Sequence, residues 1–217
     1  MSKTDFVPGS LDISRLKMLK PPSDASSATT KTLLKELSKT LKVQNETPAH
    51  ELGWYVHGEQ IENVYQWIVE MHSFEGTLPL AKDMKQAGLT SIVLELRFTN
   101  QFPFSPPFVR VVQPRFTPFL AGGGGHVTAG GALCMELLTN NGWLLSTSIE
   151  NVLLQVRMAI SSTVPRPARL QSPAGYGGGQ AYGIGEAIDA YKRACLQHGW
   201  TPARDLESLR EGDHFGH

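Results

Sequence analysis

The chain has 217 residues, a length typical of one domain with or without short extensions. Twenty basic and twenty acidic residues give a net charge of zero, so no overall field draws the chain to nucleic acid or to an anionic membrane, and we expect neither as a partner. With 41% hydrophobic and 18% charged residues, the composition is that of a globular protein and not of a disordered one. Two cysteines, Cys134 and Cys195, are too few for a disulfide framework.

The start of the chain lacks the charged-then-apolar pattern of a secretory signal. No run of the sequence approaches the roughly 18 apolar residues that a membrane-spanning helix needs. We therefore expect a protein of a reducing compartment, which is the cytoplasm, the nucleus or both.

The first predicted element is a helix over residues 29–44, where Leu34, Leu37 and Leu41 recur at helical spacing. Prolines and a Ser/Ala/Thr run precede it. Residues 1–27 are therefore predicted to be a flexible N-terminal extension.

Four strands are predicted after this helix, at residues 54–56, 64–71, 92–98 and 108–112. The segment between the second and third strands contains Gly76, Pro79 and Gly88 and is predicted to be a loop. The prolines of residues 102–107 remove ladder donors, so this segment is predicted to be a rigid turn. A helix followed by a four-stranded meander predicts an α+β fold with an antiparallel sheet.

A long irregular region at residues 113–145 follows, and long loops in compact domains are usually functional. After it, apolar spacing predicts a helix over residues 148–161, with Ser148 as its N-cap. A further helix is predicted from about Ile184 to Gly199, with Cys195 on its buried face.

Cys134 is the candidate nucleophile, since it lies among glycines in the irregular region with His126 eight positions earlier. From residue type alone, a free cysteine is more typical of a core, and the apolar neighbours of Cys134 favour a raised pKa of its thiol. A cysteine hydrolase using Cys134 and His126 is one alternative. Such an enzyme needs a base held by a third group, for which the sequence offers no candidate.

The order of these motifs resembles the catalytic core of ubiquitin-conjugating enzymes, and within that family it is closest to the Q subfamily. The resemblance is carried by Phe-Pro-Phe-Ser-Pro-Pro at residues 102–107, His126, Gly-Gly-Ala-Leu-Cys-Met-Glu-Leu-Leu at residues 130–138, Gly142-Trp143 and Ser148-Ile149-Glu150. It implies a catalytic core over residues 28–200 and a C-terminal tail over residues 201–217.

In this family, the cysteine that corresponds to Cys134 accepts ubiquitin from an activating enzyme as a thioester and passes it to a lysine of a target protein. The resemblance therefore implies an acyltransferase that uses no cofactor and no metal. It implies as partners ubiquitin, the activating enzyme, a ligase of the RING type and protein substrates. The alternative is a scaffold of the same fold that binds ubiquitin or a ligase and has weak or no activity.

The sequence departs from the wider family before the cysteine. Most members carry His-Pro-Asn about ten residues earlier, and the asparagine is the usual oxyanion donor or loop brace. Here His126-Val127-Thr128 stands at a shorter spacing and resembles the Q-type pattern. Thr128, Asn140, Asn141 and backbone amides at the glycine turn remain as alternative donors.

Two further residues of the site have two interpretations each. His126 either braces the loop through backbone hydrogen bonds or transfers a proton. Glu136 matches an acidic position of the family that orients or deprotonates an incoming lysine, or it is an ordinary solvated carboxylate. Trp143 matches a tryptophan that packs against the loop after the cysteine.

Two loops are predicted to bind partners. Phe104 and the segment Leu144-Leu145-Ser146 correspond to the loops with which family members contact the activating enzyme and RING-type ligases. Exposed Phe and Leu side chains on adjacent loops would make a small apolar patch. The alternative is that Phe104 is a core residue of the proline turn.

Overall fold

The computed structural model describes residues 4–10, 19–172 and 180–210. The helices are α1 Ser27–Glu46, α2 Ala49–Leu52, α3 Pro79–Gln86, α4 Ile149–Ser161 and α5 Ile184–His198. The strands are β1 Trp54–Val56, β2 Gln66–His72, β3 Ser91–Arg97 and β4 Phe108–Gln113. They form an antiparallel sheet in the order β1-β2-β3-β4, which confirms the predicted α+β fold with a meander sheet.

The inner face of the sheet carries the main core. Successive side chains of a strand point to opposite faces, so every second residue of β2 and β3 lies on the inner face. There Trp67 lies opposite Leu96, and Val69 lies opposite Leu94. Apolar side chains of α1 and α4 pack against them. The α4 helix begins as predicted, since the Ser148 hydroxyl accepts a hydrogen bond from the Asn151 N–H.

The outer face of the sheet is covered by the C-terminal part of the chain. Phe108 of β4 packs in a second apolar cluster with Ile188 and Tyr191 of α5 and with Leu206 and Leu209, which lie beyond it. Several polar side chains are also buried on this side of the sheet, among them Gln66, Glu95, Arg97 and Arg110.

The segment predicted to be a loop between the second and third strands contains α3 instead. Pro79 occupies the first turn of this helix, where its missing N–H costs nothing because the first amides of a helix have no intrahelical partner. Leu80 and Met84, four residues apart, are both buried and attach the helix to the core. The proline that suggested a loop is therefore a helix start.

Individual side chains in the described parts of the predicted extension and tail are buried against the domain. Phe6 is 5% exposed and its ring stacks on His72, with 3.7 Å between the ring centroids. At the other end, Leu206 and Leu209 are buried. The rest of the predicted extension and tail, residues 1–3, 11–18 and 211–217, lies outside the described residues.

Candidate active site

A short hairpin, residues 126–134, holds Cys134 beside the sheet. The Leu133 N–H donates to the Val109 carbonyl at 3.1 Å, and the Val111 N–H donates to the Gly131 carbonyl at 2.8 Å, so residues 131–133 run along β4. Val127 pairs with Leu133 across the hairpin, and both side chains are buried in the main core. Cys134 therefore follows directly on a rigid, hydrogen-bonded segment.

Two glycines let the hairpin turn pack closely against its neighbours. A Cβ at Gly130 would lie 2.3 Å from the Glu186 carbonyl oxygen of α5, and one at Gly131 would lie 2.5 Å from the Tyr182 ring. Gly131 also has a φ of +89°, a conformation that residues with side chains rarely adopt. The glycine run next to the cysteine thus serves the packing of the hairpin.

Cys134 is partly exposed, whereas Cys195 is 2% exposed on α5. Burial raises the pKa of the Cys134 thiol to about 11. At neutral pH the sulfur is accordingly held as a thiol, as its apolar neighbours in the sequence suggest.

His126 lies directly across the hairpin from Cys134. The Cys134 N–H donates to the His126 carbonyl at 2.8 Å, and the His126 Nδ1 lies 3.2 Å from the Cys134 carbonyl oxygen. A carbonyl only accepts hydrogen bonds, so Nδ1 carries the proton in this contact. Of the two interpretations of His126, the contact that the structure shows is the one with the backbone.

Glu136 begins a short 3-10 helix, Glu136–Leu138, two residues after Cys134. Its side chain is exposed. Its backbone carbonyl accepts hydrogen bonds from the N–H of Thr139 at 2.9 Å and from the hydroxyl of Thr139 at 2.7 Å. The turn that carries this carboxylate is therefore tightly closed.

The three candidate oxyanion donors have different environments. The Thr128 hydroxyl is buried, and no group among the described residues hydrogen-bonds to it. The Asn140 amide donates one of its two N–H groups to the Pro202 carbonyl at 2.8 Å. The Asn141 side chain is exposed, and its oxygen accepts from the Thr201 N–H at 2.6 Å.

The two predicted partner loops lie next to each other. The Trp143 Nε1 donates to the Pro103 carbonyl at 2.7 Å, and the Trp143 ring is buried, which agrees with a packing role. Phe104, Leu144 and Leu145 are 68%, 65% and 62% exposed, and Ser146 is exposed as well. The predicted apolar residues are therefore exposed on two loops that the hydrogen bond between Trp143 and Pro103 joins.

Tyr191 is a residue of this region that the sequence places only in the core. Its hydroxyl donates to the Leu138 carbonyl at 2.7 Å and accepts from the Ala203 N–H at 3.0 Å. It thereby joins the loop after Cys134 to the chain after α5. The only signal in the sequence was that a buried tyrosine needs a partner for its hydroxyl, which does not say which partner.

The described residues hold no cluster of three or more His, Cys, Asp or Glu side chains that could bind a metal ion. A cleft of about 800 Å³ lies elsewhere, between α3 and the end of β4, and Cys134 does not line it. None of the described helices is both long enough and apolar enough to cross a membrane.

Comparison with known proteins gives consistent matches. The sequence profile of the family "Ubiquitin-conjugating enzyme" matches residues 33–174. The human ubiquitin-conjugating enzyme E2 Q1 is 35% identical over 153 residues, which are 66% of this chain and 33% of that protein. The ubiquitin-conjugating enzyme E2 25 of Caenorhabditis elegans is 34% identical over 154 residues, which are 67% of this chain and 37% of that protein.

The chain spans only part of the curated relatives that it matches, from about a third to about half of their length. Among solved structures, the ubiquitin-conjugating enzyme UbcA1 of Agrocybe aegerita is 21% identical, with a TM-score of 0.48 over 65% of this chain and 88% of that one. The family profile covers most of the described core, from α1 to beyond α4, and on that match the chain belongs to the ubiquitin-conjugating enzyme family.

Proposed function

We propose that this chain is an active ubiquitin-conjugating domain with Cys134 as the thioester acceptor. The observation that carries the proposal is the contrast between the two cysteines. Cys134 is partly exposed at the end of a rigid hairpin, whereas Cys195 is buried in the cluster around α5. A carrier thiol has to meet a bulky activating enzyme, and Cys134 alone of the two has an exposed position.

Two acyl transfers make up the proposed reaction. In the first, the Cys134 sulfur attacks the thioester carbonyl of ubiquitin on the activating enzyme. The new sulfur–carbon bond forms as the old one breaks, and the activating enzyme regains its thiol. In the second, the amine of a substrate lysine attacks the Cys134 thioester, an amide forms, and the Cys134 thiol is released.

The raised pKa of the Cys134 thiol suits a carrier. A thiol of high pKa is a slow leaving group, so its thioester resists water until an amine is well placed. In this proposal the His126 imidazole braces the end of the hairpin through the Cys134 carbonyl. The Glu136 carboxylate orients the incoming lysine.

We place the partner contacts on the apolar patch of Phe104, Leu144, Leu145 and Ser146. Its exposure and its position on two joined loops support contact with the activating enzyme and with a RING-type ligase. A free thiol in the active site supports a reducing compartment, the cytoplasm, the nucleus or both.

The hydrolase alternative is not supported by the contacts of His126. A thiol hydrolase needs an imidazole oriented by a third side chain, whereas the Nδ1 of His126 faces the carbonyl of Cys134 itself. The scaffold alternative, with weak or no activity, predicts little or no adduct on Cys134.

The proposal is tested by incubating the protein with ubiquitin-activating enzyme, ATP and ubiquitin, followed by a non-reducing gel. We expect a ubiquitin adduct that thiols remove. Cys134→Ser is expected to give an adduct that resists thiols, since it is an ester, and Cys134→Ala is expected to give none. Cys195→Ala is the matched control and is expected to load as the unaltered chain does.

Two outcomes contradict the proposal. A thiol-labile adduct on the Cys134→Ala protein moves the acceptor elsewhere. A folded, unaltered protein that forms no adduct is a scaffold and not a conjugating enzyme.

A further inference from the structure

The chain beyond α5 is bonded to the loop that follows Cys134. The Asn140 N–H donates to the Thr201 carbonyl at 3.0 Å, and its side-chain amide donates to the Pro202 carbonyl at 2.8 Å. In return, the Thr201 N–H donates to the side-chain oxygen of Asn141 at 2.6 Å. Three hydrogen bonds therefore join residues 140–141 to residues 201–202, about 60 positions apart.

These bonds continue to Glu136. The Asn141 N–H donates to the Thr139 hydroxyl at 3.3 Å, and that hydroxyl donates to the Glu136 carbonyl at 2.7 Å. A Cβ at Gly142 would lie 2.5 Å from the same carbonyl oxygen, so the loop folds back on Glu136. Movement of Asn141 therefore shifts the turn that carries the Glu136 carboxylate.

The same segment also contacts the first partner loop. Ser105, which is 1% exposed, donates to the Asn140 side-chain oxygen at 3.2 Å and accepts from the Arg204 N–H at 3.0 Å. Because Phe104 precedes Ser105, both the Phe104 loop and the loop after Cys134 are bonded to one segment of backbone.

The far end of the segment is anchored beneath the Cys134 hairpin. The Leu209 carbonyl accepts from the Arg97 Nη1 at 2.5 Å, and Arg97 pairs with Glu95 at 2.8 Å. Glu95 also pairs with Arg110 at 2.6 Å, and Arg110 forms a β-bridge with Ala132, two residues before Cys134. One buried cluster thus supports both the hairpin and the C-terminal segment.

We propose that residues 201–210 form a positioning clamp for the active site, which fixes the loop of residues 136–142 and its Glu136 carboxylate relative to Cys134. Asn141 is the positioning residue at the exposed end of this clamp, and it acts by accepting the Thr201 N–H. The inference rests on the proposed function, because its catalytic consequence is the rate at which the Cys134 thioester is discharged.

The test compares two variants of Asn141 in the full chain. Asn141→Ala removes the acceptor of the Thr201 N–H, whereas Asn141→Asp keeps an oxygen acceptor in nearly the same place. The loaded protein is discharged onto free lysine in a single turnover. We expect Asn141→Ala to be about three- to tenfold slower, the effect of losing one hydrogen bond, and Asn141→Asp to be close to the unaltered chain. Asn45→Ala, a change of an exposed asparagine on α1, is the matched control.

Hydrogen exchange of the unloaded protein is the second readout. We expect faster exchange of amides in residues 136–142 in Asn141→Ala and not in Asn141→Asp. Unchanged exchange and discharge in Asn141→Ala overturn the clamp. Equal slowing by both variants also overturns the clamp. In that case the side-chain NH2 of Asn141 is required, and not the oxygen that accepts the Thr201 N–H. If the unaltered chain fails to load, the proposed function falls, while hydrogen exchange still decides the clamp.

Discussion

Cys134 combines a partly exposed position with a thiol that is not ionised at neutral pH. The exposure comes from its position at the end of the hairpin, and the protonated state comes from burial, which raises the pKa to about 11. A hydrolytic cysteine needs the opposite, a lowered pKa beside a base. The raised pKa of this thiol therefore supports the proposed carrier role over a hydrolytic one.

The Thr128 hydroxyl is buried with no hydrogen-bond partner among the described residues. An unsatisfied buried hydroxyl costs about 1–3 kcal/mol, and Thr128→Val replaces it with a methyl group of similar shape. We expect the free energy of unfolding to rise by about 1 kcal/mol in denaturant titrations. We also expect unchanged discharge of the loaded protein onto free lysine.

Slower discharge of the Thr128→Val protein, with loading intact, would contradict this prediction. It would make the Thr128 hydroxyl the oxyanion donor, whose removal costs roughly two to three powers of ten in rate. Thr117→Val is a useful comparison. The Thr117 hydroxyl donates to the Leu170 carbonyl at 3.1 Å, so its removal is expected to destabilise the fold.

The sequence points to one candidate nucleophile but does not predict the contacts of its neighbours. The glycines, His126 and the resemblance around Cys134 single out one residue. The asparagines at 140 and 141 have partners at residues 201–202, and no local pattern predicts a contact over such a separation. Their carboxamides suit a catalytic donor and a structural contact equally well, and only the tertiary structure shows the contacts with residues 201–202.

Strands and long helices were predictable from the sequence because their apolar residues recur with the period of a strand or of a helix. Strand β3 alternates along its length, and α4 combines an apolar stripe with a Ser148 cap. The α3 helix was missed because it has only eight residues, begins at a proline and lies between two glycines. The hairpin before Cys134 was missed because much of its pairing is with β4 and not within itself.

A buried ion cluster links the elements of the outer sheet face. Glu95 of β3 pairs with Arg97 and Arg110, and all three side chains are at most 1% exposed. Burial by itself raises the pKa of the Glu95 carboxyl, but the guanidinium groups of Arg110 and Arg97 outweigh it and hold the pKa below its ordinary value. The cluster is therefore charged in the folded protein.

Glu95→Gln is expected to lower the free energy of unfolding by about 3–5 kcal/mol at pH 7, because two buried guanidinium groups lose their counter-charge. The difference should depend on pH. Since folding depresses the pKa of Glu95, its stabilising effect is fully present above the unfolded-state value of about 4.3 and is lost as pH falls through the lower folded value. Denaturant titrations of both proteins at several pH values measure this difference.

The control for Glu95→Gln is the exposed pair Lys42 and Glu46 on α1. Their side chains are 72% and 65% exposed and 3.9 Å apart, so Glu46→Gln is expected to change stability by less than about 0.5 kcal/mol. If Glu95→Gln is equally mild at pH 7, the buried cluster does not hold the outer face together.

In the whole molecule, segments from both parts of the chain that flank the core cover portions of the outer face of the sheet. Residues beyond α5 cover Phe108 and the ion cluster, and Phe6 covers His72 at the end of β2. Burial lowers the pKa of His72 to about 4, so Phe6 stacks on a neutral ring at pH 7. Both segments have the composition of linkers, with few apolar residues among prolines and small residues. The sequence therefore does not reveal that their apolar side chains pack against the sheet.

Two phenylalanines test this packing with the same substitution. Phe6 is 5% exposed and Phe104 is 68% exposed, so Phe6→Ala removes a buried ring while Phe104→Ala removes one that faces solvent. We expect Phe6→Ala to lower the free energy of unfolding by about 2–4 kcal/mol, somewhat less than a central core position because a terminal segment can undock. We expect Phe104→Ala to change it by no more than about 0.5 kcal/mol while weakening contact with partners. If thermal and denaturant unfolding show the reverse order, Phe104 is the core residue and the apolar patch is not a docking surface.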